Sequence, residues 1–239
     1  MKFEILYEDE EIYLVNKPCG IAVQGGAGVS HPLDEEFAWQ CGQKIYLVHR
    51  LDRETSGILI VAKNPQSATK WIKLIQSKMV KKEYIAFCFN RPLINGKKLD
   101  RGIIKGTLES HGQEKSALTY FEVLECKKVK LPDFTDNQTG QIIEGDEVEL
   151  SKIHLTLGTG RMHQLRIQLA KSQCPIIGDD LHGNFKLNKK VRKLGLKKLC
   201  LVSYRLTLPL GKKNAVFEIP LNEHMLLCEN LLNGSKNIK

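Results

Sequence analysis

One carboxylate lies between two arginines in the segment His49-Arg50-Leu51-Asp52-Arg53-Glu54-Thr55-Ser56-Gly57. Apolar, strand-like residues precede this segment at 45–48 and follow it at 58–62, which predicts a rigid frame around a turn-rich loop. Neighbouring cations favour the ionised form of an aspartate, which is the form that acts as a nucleophile or as a base. The alternative is a turn aspartate that bonds its own backbone, with its arginines on a solvated edge.

Two further polar side chains lie on predicted elements. Tyr84 lies in a predicted strand over 83–89, on the face opposite its apolar residues, where a buried core tyrosine is the ordinary interpretation. Arg166 lies on a predicted helix that opens near 159–160, and His163 shares its side of that helix. A surface arginine on such a helix is usually just solvated. We expect His163 to orient its neighbours or to be structural rather than to act as a general base.

The charge of the chain indicates a polyanionic partner. Its 239 residues carry 36 Lys and Arg against 27 Asp and Glu, a formal net charge of +9. The segment 186–198 contains seven of these cations and no acid. We predict phosphate contacts from Lys189, Lys190, Arg192 and Lys193, and the alternative is a solvated, solubilising loop.

The seven cysteines are scattered without a Cys-x-x-Cys pair, which is typical of reduced thiols rather than of a zinc site. The seven histidines form no ligand pattern, so we expect no metal. Neither a dinucleotide nor a phosphate-binding motif is present, and we expect no cofactor. With no apolar signal segment and no run of about 18 apolar residues, we expect a cytoplasmic protein that does not engage a membrane.

Turn and periodicity signals predict an α+β fold, with a largely antiparallel mixed sheet and flanking helices and loops. Asn64 caps a predicted helix that has Pro65 at its first position. A change of alternation near Ser151 predicts a bulge, Asn95-Gly96 predicts a hairpin turn, and 127–144 reads as an exposed insertion. We expect one domain over 1–239, a monomer, and a flexible tail over 229–239.

Several blocks of the chain resemble, in order, conserved blocks of the RluA-type pseudouridine synthases. The resemblance covers about residues 5 to 210, and the central block is the Asp52 segment. A glycine-rich block resembles that of members acting on large-subunit ribosomal RNA. The other blocks are Val15-Asn16-Lys17-Pro18-Cys19-Gly20, Gln24-Gly25-Gly26-Ala27-Gly28-Val29-Ser30, Lys82-Glu83-Tyr84-Ile85-Ala86, Gly160-Arg161-Met162-His163-Gln164-Leu165-Arg166 and Pro175-Ile176-Ile177-Gly178-Asp179.

The resemblance implies the family's catalytic-domain fold, without the accessory N-terminal RNA-binding domain of many relatives, and isomerisation of uridine in structured RNA. It makes Asp52 the residue that starts the reaction, Tyr84 the residue that stacks on the target base, and Arg166 the partner of the catalytic aspartate. Arg50 would enter the RNA stack that the flipped uridine leaves. Arg53, Lys17 and Arg161 are candidates for phosphate contacts. Departures from the family pattern include Met162, Gln168 and His182.

Other functions fit the chain less well. The order His49-Arg50-Leu51-Asp52 superficially suggests a phosphotransferase, but the accompanying kinase motifs are missing from the sequence. A non-catalytic RNA-binding module of the same fold would be expected to have lost Asp52, Tyr84 or Arg166, and all three are present. We expect the substrate to be 23S ribosomal RNA, with transfer RNA as the alternative.

Overall fold

The computed structural model describes residues 1–110, 112–131, 133–135, 140 and 142–234. Contacts between Cα atoms group the chain into two compact units. Unit 1 comprises Met1–Tyr84 and Val202–Pro220, and unit 2 comprises Ile85–Leu201 and Leu221–Lys239. The single domain over 1–239 stays a prediction.

The described residues form strands and a smaller number of helices. The strands are β1 (Glu4–Glu8), β2 (Ile12–Lys17), β3 (Tyr46–Leu47), β4 (Ser56–Ala62), β5 (Lys81–Phe89), β6 (Leu93–Ile94), β7 (Lys97–Lys98), β8 (Arg101–Ser110), β9 (Gln113–Lys130), β10 (Phe134–Thr135), β11 (Ile142–Ile143), β12 (Glu147–Leu157), β13 (Leu201–Leu210) and β14 (Lys213–Glu218). The helices are α1 (Leu33–Cys41), α2 (Pro65–Gln76), α3 (Gln164–Lys171), α4 (Phe185–Arg192) and α5 (Glu223–Leu232).

Unit 1 is built on a mixed sheet in which β4 is the central strand. The strand order is β1-β2-β4-β13, with β3 also paired to β4 and β14 paired to β13. β2 and β3 run antiparallel to β4, whereas β13 runs parallel to it. All seven residues of β4 are buried, as expected for a strand that is covered on both faces.

Helix α2 forms as its sequence predicts. The Asn64 side chain accepts a hydrogen bond from the Ser67 backbone N–H at 2.8 Å, and Pro65 is the first helical residue. Ala68 and Trp71 are buried, so this face contributes to the core of unit 1. The helix ends at Gln76, and Met79 beyond it is exposed.

Unit 2 contains a meander of long antiparallel strands. β9 pairs with β8 on one side and with β12 on the other, and β12 also neighbours β5. The register of β9 and β12 shifts between Lys152 and Ile153, which confirms the bulge predicted near Ser151. Most strand pairs of the described residues whose direction is established are antiparallel, the β4–β13 pair is parallel, and the α+β prediction is confirmed.

Other local predictions meet a mixed outcome. Asn95 and Gly96 both have positive φ and form the turn between β6 and β7. The insertion expected over 127–144 is partly wrong, because 127–130 belong to β9 and β10 pairs with β11; residues 132, 136–139 and 141 lie outside the described part. The flexible tail is wrong for 229–232, which belong to α5, and residues 235–239 are not described.

Among the helices of the described ranges, none combines the length and the apolar character that crossing a lipid bilayer requires. All seven cysteines are free thiols.

Candidate active site

The loop that carries Asp52 is fixed by the sheet at both of its ends. β3 precedes it and pairs with Val61 and Ala62 of β4, and β4 itself begins at Ser56, directly after the loop. Within the loop, the Thr55 backbone N–H donates to the Asp52 carbonyl at 3.0 Å and closes a turn. Asp52 is partly exposed while Leu51 beside it is buried, so the loop presents its carboxylate from an anchored backbone.

The His49 ring supports the start of this loop. The Ile60 backbone N–H of β4 donates to His49 Nε2 at 3.0 Å. β3 ends at Leu47, which pairs with Val61, so the ring accepts an N–H just beyond the end of the strand ladder. Burial, together with the positive charge of Lys82, lowers the pKa of His49 to about 3, although a backbone hydrogen bond at Arg50 opposes this. The ring is therefore neutral at physiological pH and can act as an acceptor. The sequence assigned His49 no role of its own.

Lys17 supports the loop from the protein interior. The prediction that it contacts phosphate is therefore wrong. Its side chain has no exposed surface, and Nζ donates to the carbonyls of Pro18 at 2.9 Å, Ile21 at 2.8 Å and Arg53 at 3.0 Å. An ammonium group has three N–H donors, and these three bonds use all of them. Burial lowers the pKa of Lys17 to about 8, against the opposing charges of Cys19, Glu54 and Asp52. Lys17 thus positions the residue next to Asp52 and has no donor left for a phosphate.

The two arginines that flank Asp52 lie at the surface. Arg53 Nε donates to the Gly20 carbonyl at 3.0 Å, and the Gly20 N–H donates to the Arg53 carbonyl at 2.9 Å. This pair joins the loop to the segment after β2, while 66% of the Arg53 side chain stays exposed. Arg50 is exposed as well. Their contacts with RNA stay a prediction, and both residues are accessible to a large ligand.

Tyr84 lies close enough to Asp52 for the two groups to interact electrostatically. Burial raises the pKa of Tyr84, the Asp52 charge adds to this rise, and a hydrogen bond with the Ser203 side chain opposes it. Only 5% of the tyrosine is exposed. The Ser203 Oγ in turn donates to the Ile58 carbonyl of β4 at 3.3 Å. Unit 1 therefore brings together two of the three predicted catalytic residues, and the phenol stays protonated at neutral pH.

Gly57 permits the close approach of β13 that places Ser203. Its φ is +113°, and a Cβ atom there would lie 2.2 Å from the Ser203 carbonyl oxygen. No other residue type fits such a position, because the conformation disfavours a side chain and the space is filled by backbone. The glycine at the end of the Thr55-Ser56-Gly57 run is thus required by the close packing of β4 against β13.

Arg166, the third predicted catalytic residue, forms a buried ion pair within unit 2. Its Nε donates to Asp179 Oδ2 at 2.8 Å and a terminal nitrogen donates to Oδ1 at 2.7 Å. The Oδ1 atom also accepts from the backbone N–H groups of Leu181 at 2.9 Å and His182 at 3.0 Å. Burial raises the pKa of Asp179, but these hydrogen bonds outweigh it and the net shift is downward.

Asp179 lies in a block that resembles the family, but its spacing in the sequence gives no signal that it pairs with Arg166. The two Asp179 bonds use two of the five guanidinium N–H groups. Asp52 and Arg166 belong to different units, and pairing between them stays a proposal.

Two glutamines fix the helix that carries Arg166. Gln164 Nε2 donates to the Leu118 carbonyl and to Thr119 Oγ1, each at 3.0 Å. One turn later, Gln168 Oε1 accepts from the Thr119 hydroxyl at 2.6 Å, and its Nε2 donates to the Ile104 carbonyl at 3.1 Å. Both amides are buried, so α3 is held against β8 and β9 by satisfied polar groups as well as by packing.

The helix α3 begins at Gln164, later than predicted, because His163 adopts a left-handed conformation with φ of 51°. Its Nδ1 lies 3.1 Å from His182 Nε2, and the two rings meet edge to face. This contact joins the start of α3 to the turn that follows Asp179, which agrees with an orienting role for His163. Arg161, predicted to contact phosphate, donates from Nε to the Ser116 carbonyl at 3.2 Å.

The basic segment contributes fewer available cations than its sequence suggests. Lys190 Nζ lies 2.6 Å from Asp146 Oδ2, and its side chain is only 16% exposed. Arg192 forms an ion pair with Asp180. Lys189 and Lys193 are both exposed. The charges of Lys190 and Arg192 face acids within the protein, and phosphate contacts stay a prediction for all four residues.

In the described ranges, no three His, Cys, Asp or Glu side chains lie in an arrangement that could hold a metal ion. The polar groups of the site are instead satisfied by one another and by backbone.

A model of the RNA pseudouridylate synthase family matches residues 11–171, which include Asp52, Tyr84 and Arg166. The chain belongs to this family. Ribosomal large subunit pseudouridine synthase C of Rickettsia bellii is 34% identical over 197 residues, covering 77% of this chain and 58% of that protein. The enzyme of the same name from Haemophilus influenzae is 29% identical over 237 residues, covering 98% of this chain and 70% of that protein.

The fold also agrees with that of a solved family structure. The structure of human RNA pseudouridylate synthase domain containing 4 matches with a TM-score of 0.70 at 22% identity, covering 96% of this chain and 92% of the human chain. This likeness confirms the predicted fold of the family. The chain spans little more than half of the length of the Rickettsia protein. The activity and the substrate of that relative are therefore carried over to this chain only as a proposal.

Proposed function

We propose that this chain is an RNA pseudouridine synthase that isomerises uridines in structured RNA, with large-subunit (23S) ribosomal RNA as its substrate. The observation that carries this proposal is the Asp52 loop, anchored by β3, β4, His49 and Lys17 in a chain that belongs to the family. The names of the relatives from Rickettsia bellii and Haemophilus influenzae support the ribosomal substrate.

The proposed reaction breaks one bond and forms another within a single nucleotide. The bond between the ribose C1′ and ring N1 breaks, the base turns, C1′ joins C5, and the proton of C5 leaves while N1 gains one. Asp52 starts this sequence, either by covalent attack or by removing a sugar proton to give a glycal. Both routes need a carboxylate that is fixed in place and reachable, which the partly exposed Asp52 on its anchored loop provides. Because the reaction is an isomerisation, we propose no redox cofactor.

The other residues receive roles that suit their environments. Tyr84 would stack on the uracil, and its protonated phenol, bonded to Ser203, is suited to that role rather than to acting as a phenolate base. Arg166 would supply a cation for the Asp52 carboxylate, with Asp179 fixing the guanidinium plane. The exposed Arg50 would fill the gap that the flipped uridine leaves in the RNA. We further propose that the protein acts in the cytoplasm as a monomer.

Mapping pseudouridines in ribosomal and transfer RNA from cells with and without this gene tests the proposal. The expected result is the loss of one or more sites in 23S ribosomal RNA, restored by the wild-type gene. Loss confined to transfer RNA would contradict the ribosomal substrate, and identical maps in both RNAs would contradict the activity.

A further inference from the structure

An exposed phenylalanine begins the basic helix α4. Phe185 is the first residue of α4 and 63% of it is exposed. Asn188 and Val191 of α4 are buried, whereas most of the Phe185 side chain is exposed, so the Phe185 ring is not part of the core. A ring exposed to this degree keeps a flat apolar face available to a ligand, and cations beside it favour a ligand that carries negative charge.

Phe185 lies in a row with two exposed lysines. Lys189 and Lys193 follow it at intervals of four residues, and Lys193 keeps helical backbone angles at the end of α4. Residues four apart lie on one side of a helix, with a rise of about 6 Å between them. Two further cations of α4, Lys190 and Arg192, form ion pairs with Asp146 and Asp180. The row is thus one aromatic ring followed by two cations.

The row is held rigidly beside the Arg166–Asp179 pair. Asn188 Oδ1 accepts from the Gly178 N–H at 3.0 Å, and its Nδ2 donates to the Asp179 carbonyl at 2.8 Å. The Asn184 side chain caps the helix by accepting from the Leu187 N–H at 3.0 Å. These bonds fix the direction of α4 within unit 2, so the ring and the lysines are preorganised rather than placed on a mobile loop.

We propose that the row Phe185, Lys189 and Lys193 binds an unpaired stretch of the RNA substrate, with the Phe185 ring stacked on one base and the lysines facing the phosphates that follow. Aromatic stacking beside cations is the general way in which proteins hold single-stranded nucleic acid. The charge of the row suits a polyanion, and its ring requires a partner with flat apolar faces. This inference rests on the proposed function, since it assumes an RNA substrate.

A fluorescent reporter tests the stacking directly. The chain has two tryptophans, exposed Trp39 and buried Trp71. In a Trp39→Phe background, Phe185→Trp introduces an indole at the start of the row, and Trp39→Phe alone is the reference. Titration with a short single-stranded oligouridylate is expected to quench the introduced indole and to leave the reference unchanged. Saturable binding with no quenching of the introduced indole would overturn the proposal.

Affinity measurements with matched variants test the same row. Phe185→Ala is expected to weaken oligouridylate binding about tenfold, and Phe185→Tyr to keep it. The double variant Lys189→Gln and Lys193→Gln should lower the slope of log affinity against log salt by about 1.4, from about 0.7 for each phosphate contact on a single strand. Lys197→Gln with Lys198→Gln makes the same charge change at two exposed lysines outside the row and should lower the slope by less. An equal loss of slope in both double variants, or full affinity in Phe185→Ala, would contradict the row.

The failure of this proposal can be told apart from the failure of the proposed function. Wild-type protein that forms pseudouridine while Phe185→Ala binds RNA normally would overturn the row alone. Quenching and loss of affinity in a protein that forms no pseudouridine would support the row and overturn the activity.

Discussion

At the residue scale, buried charged groups hold the residues proposed for the site in place. Lys17 is stabilised by three carbonyls, and Asp179 by Arg166 and two backbone N–H groups. A buried charge without such partners would be strongly destabilising. Because every bond of these networks must therefore be kept, the networks also hold the side chains in fixed positions. Lys17 thereby fixes the carbonyl next to Asp52, and Asp179 fixes the plane of the Arg166 guanidinium.

Replacing Arg166 separates a catalytic role from a structural one. Arg166→Lys keeps a charge but loses the two-pronged bond to Asp179, and we expect turnover to fall much more than RNA affinity. Asp179→Asn is the control, because it weakens the same pair and keeps Arg166. Single-turnover rates at matched folded fractions compare them. If both variants lost the same turnover, Arg166 would act only by holding the fold.

Replacing Tyr84 tests whether its ring or its hydroxyl holds the RNA. Tyr84→Phe removes the bond to Ser203 and keeps the ring, so RNA affinity should stay within about twofold. Tyr84→Leu removes the stacking face and should weaken affinity about tenfold. Equilibrium binding to a verified RNA substrate measures both. Equal affinities for the leucine and phenylalanine variants would contradict stacking.

At the scale of elements, the site depends on where strands end. β3 stops at Leu47, and the His49 ring then takes the next N–H of β4, so the chain leaves the sheet three residues before Asp52. Gly57 lets β13 approach β4, which places Ser203 at Tyr84. The loop geometry is therefore a property of β3, β4 and β13 together.

Replacing His49 tests this control of the loop. His49→Ala leaves the buried Ile60 N–H without its acceptor and should lower the free energy of unfolding by about 1–3 kcal/mol. It should also reduce turnover more than RNA affinity. His49→Gln offers an amide oxygen in place of Nε2 and should recover part of both. If alanine and wild type turned over equally, the ring would not position the loop.

The His49 pKa adds a pH signature to this test. The ring has a pKa of about 3 in the folded protein against 6.5 ordinarily, so the unfolded chain binds the extra proton as pH falls. The resulting loss of wild-type stability develops below about pH 6.5 and is complete near pH 3. Denaturant titrations over this range should show a weaker pH dependence for His49→Gln. The same pH dependence in both proteins would contradict a His49 ring that stays neutral in the folded protein.

The sequence predicted local elements better than it predicted the partners of charged side chains. Asn64 with Pro65 predicts α2, because a cap and a first-turn proline act locally. The sequence predicts a phosphate contact for Lys17, and this prediction is wrong. One of the carbonyls that bind its Nζ belongs to Arg53, 36 residues along the chain, and the local sequence does not reveal that contact. The acid that pairs with Lys190 lies 44 residues away, so a run of cations cannot reveal which of them are already paired. Long-range contacts of this kind need the fold.

At the scale of the whole molecule, net charge and family membership point to the same partner. A chain of formal charge +9 that belongs to the RNA pseudouridylate synthase family suits a polyanionic substrate. Unit 1 contains Asp52 and Tyr84, and unit 2 contains Arg166 and the row of Phe185, Lys189 and Lys193. Replacing the Asp52 carboxylate should therefore abolish pseudouridine formation and leave RNA binding largely intact.

The most direct test of the account is pseudouridine formation by Asp52→Asn on a verified RNA substrate, with RNA affinity measured beside it. The amide is nearly the same size, and the turn at Thr55 uses the Asp52 carbonyl, which the variant keeps. We predict RNA affinity within a few fold of wild type and no detectable pseudouridine, because an amide can neither attack the nucleotide nor remove a proton. Pseudouridine formation at more than a few per cent of the wild-type rate would contradict Asp52 as the catalytic residue.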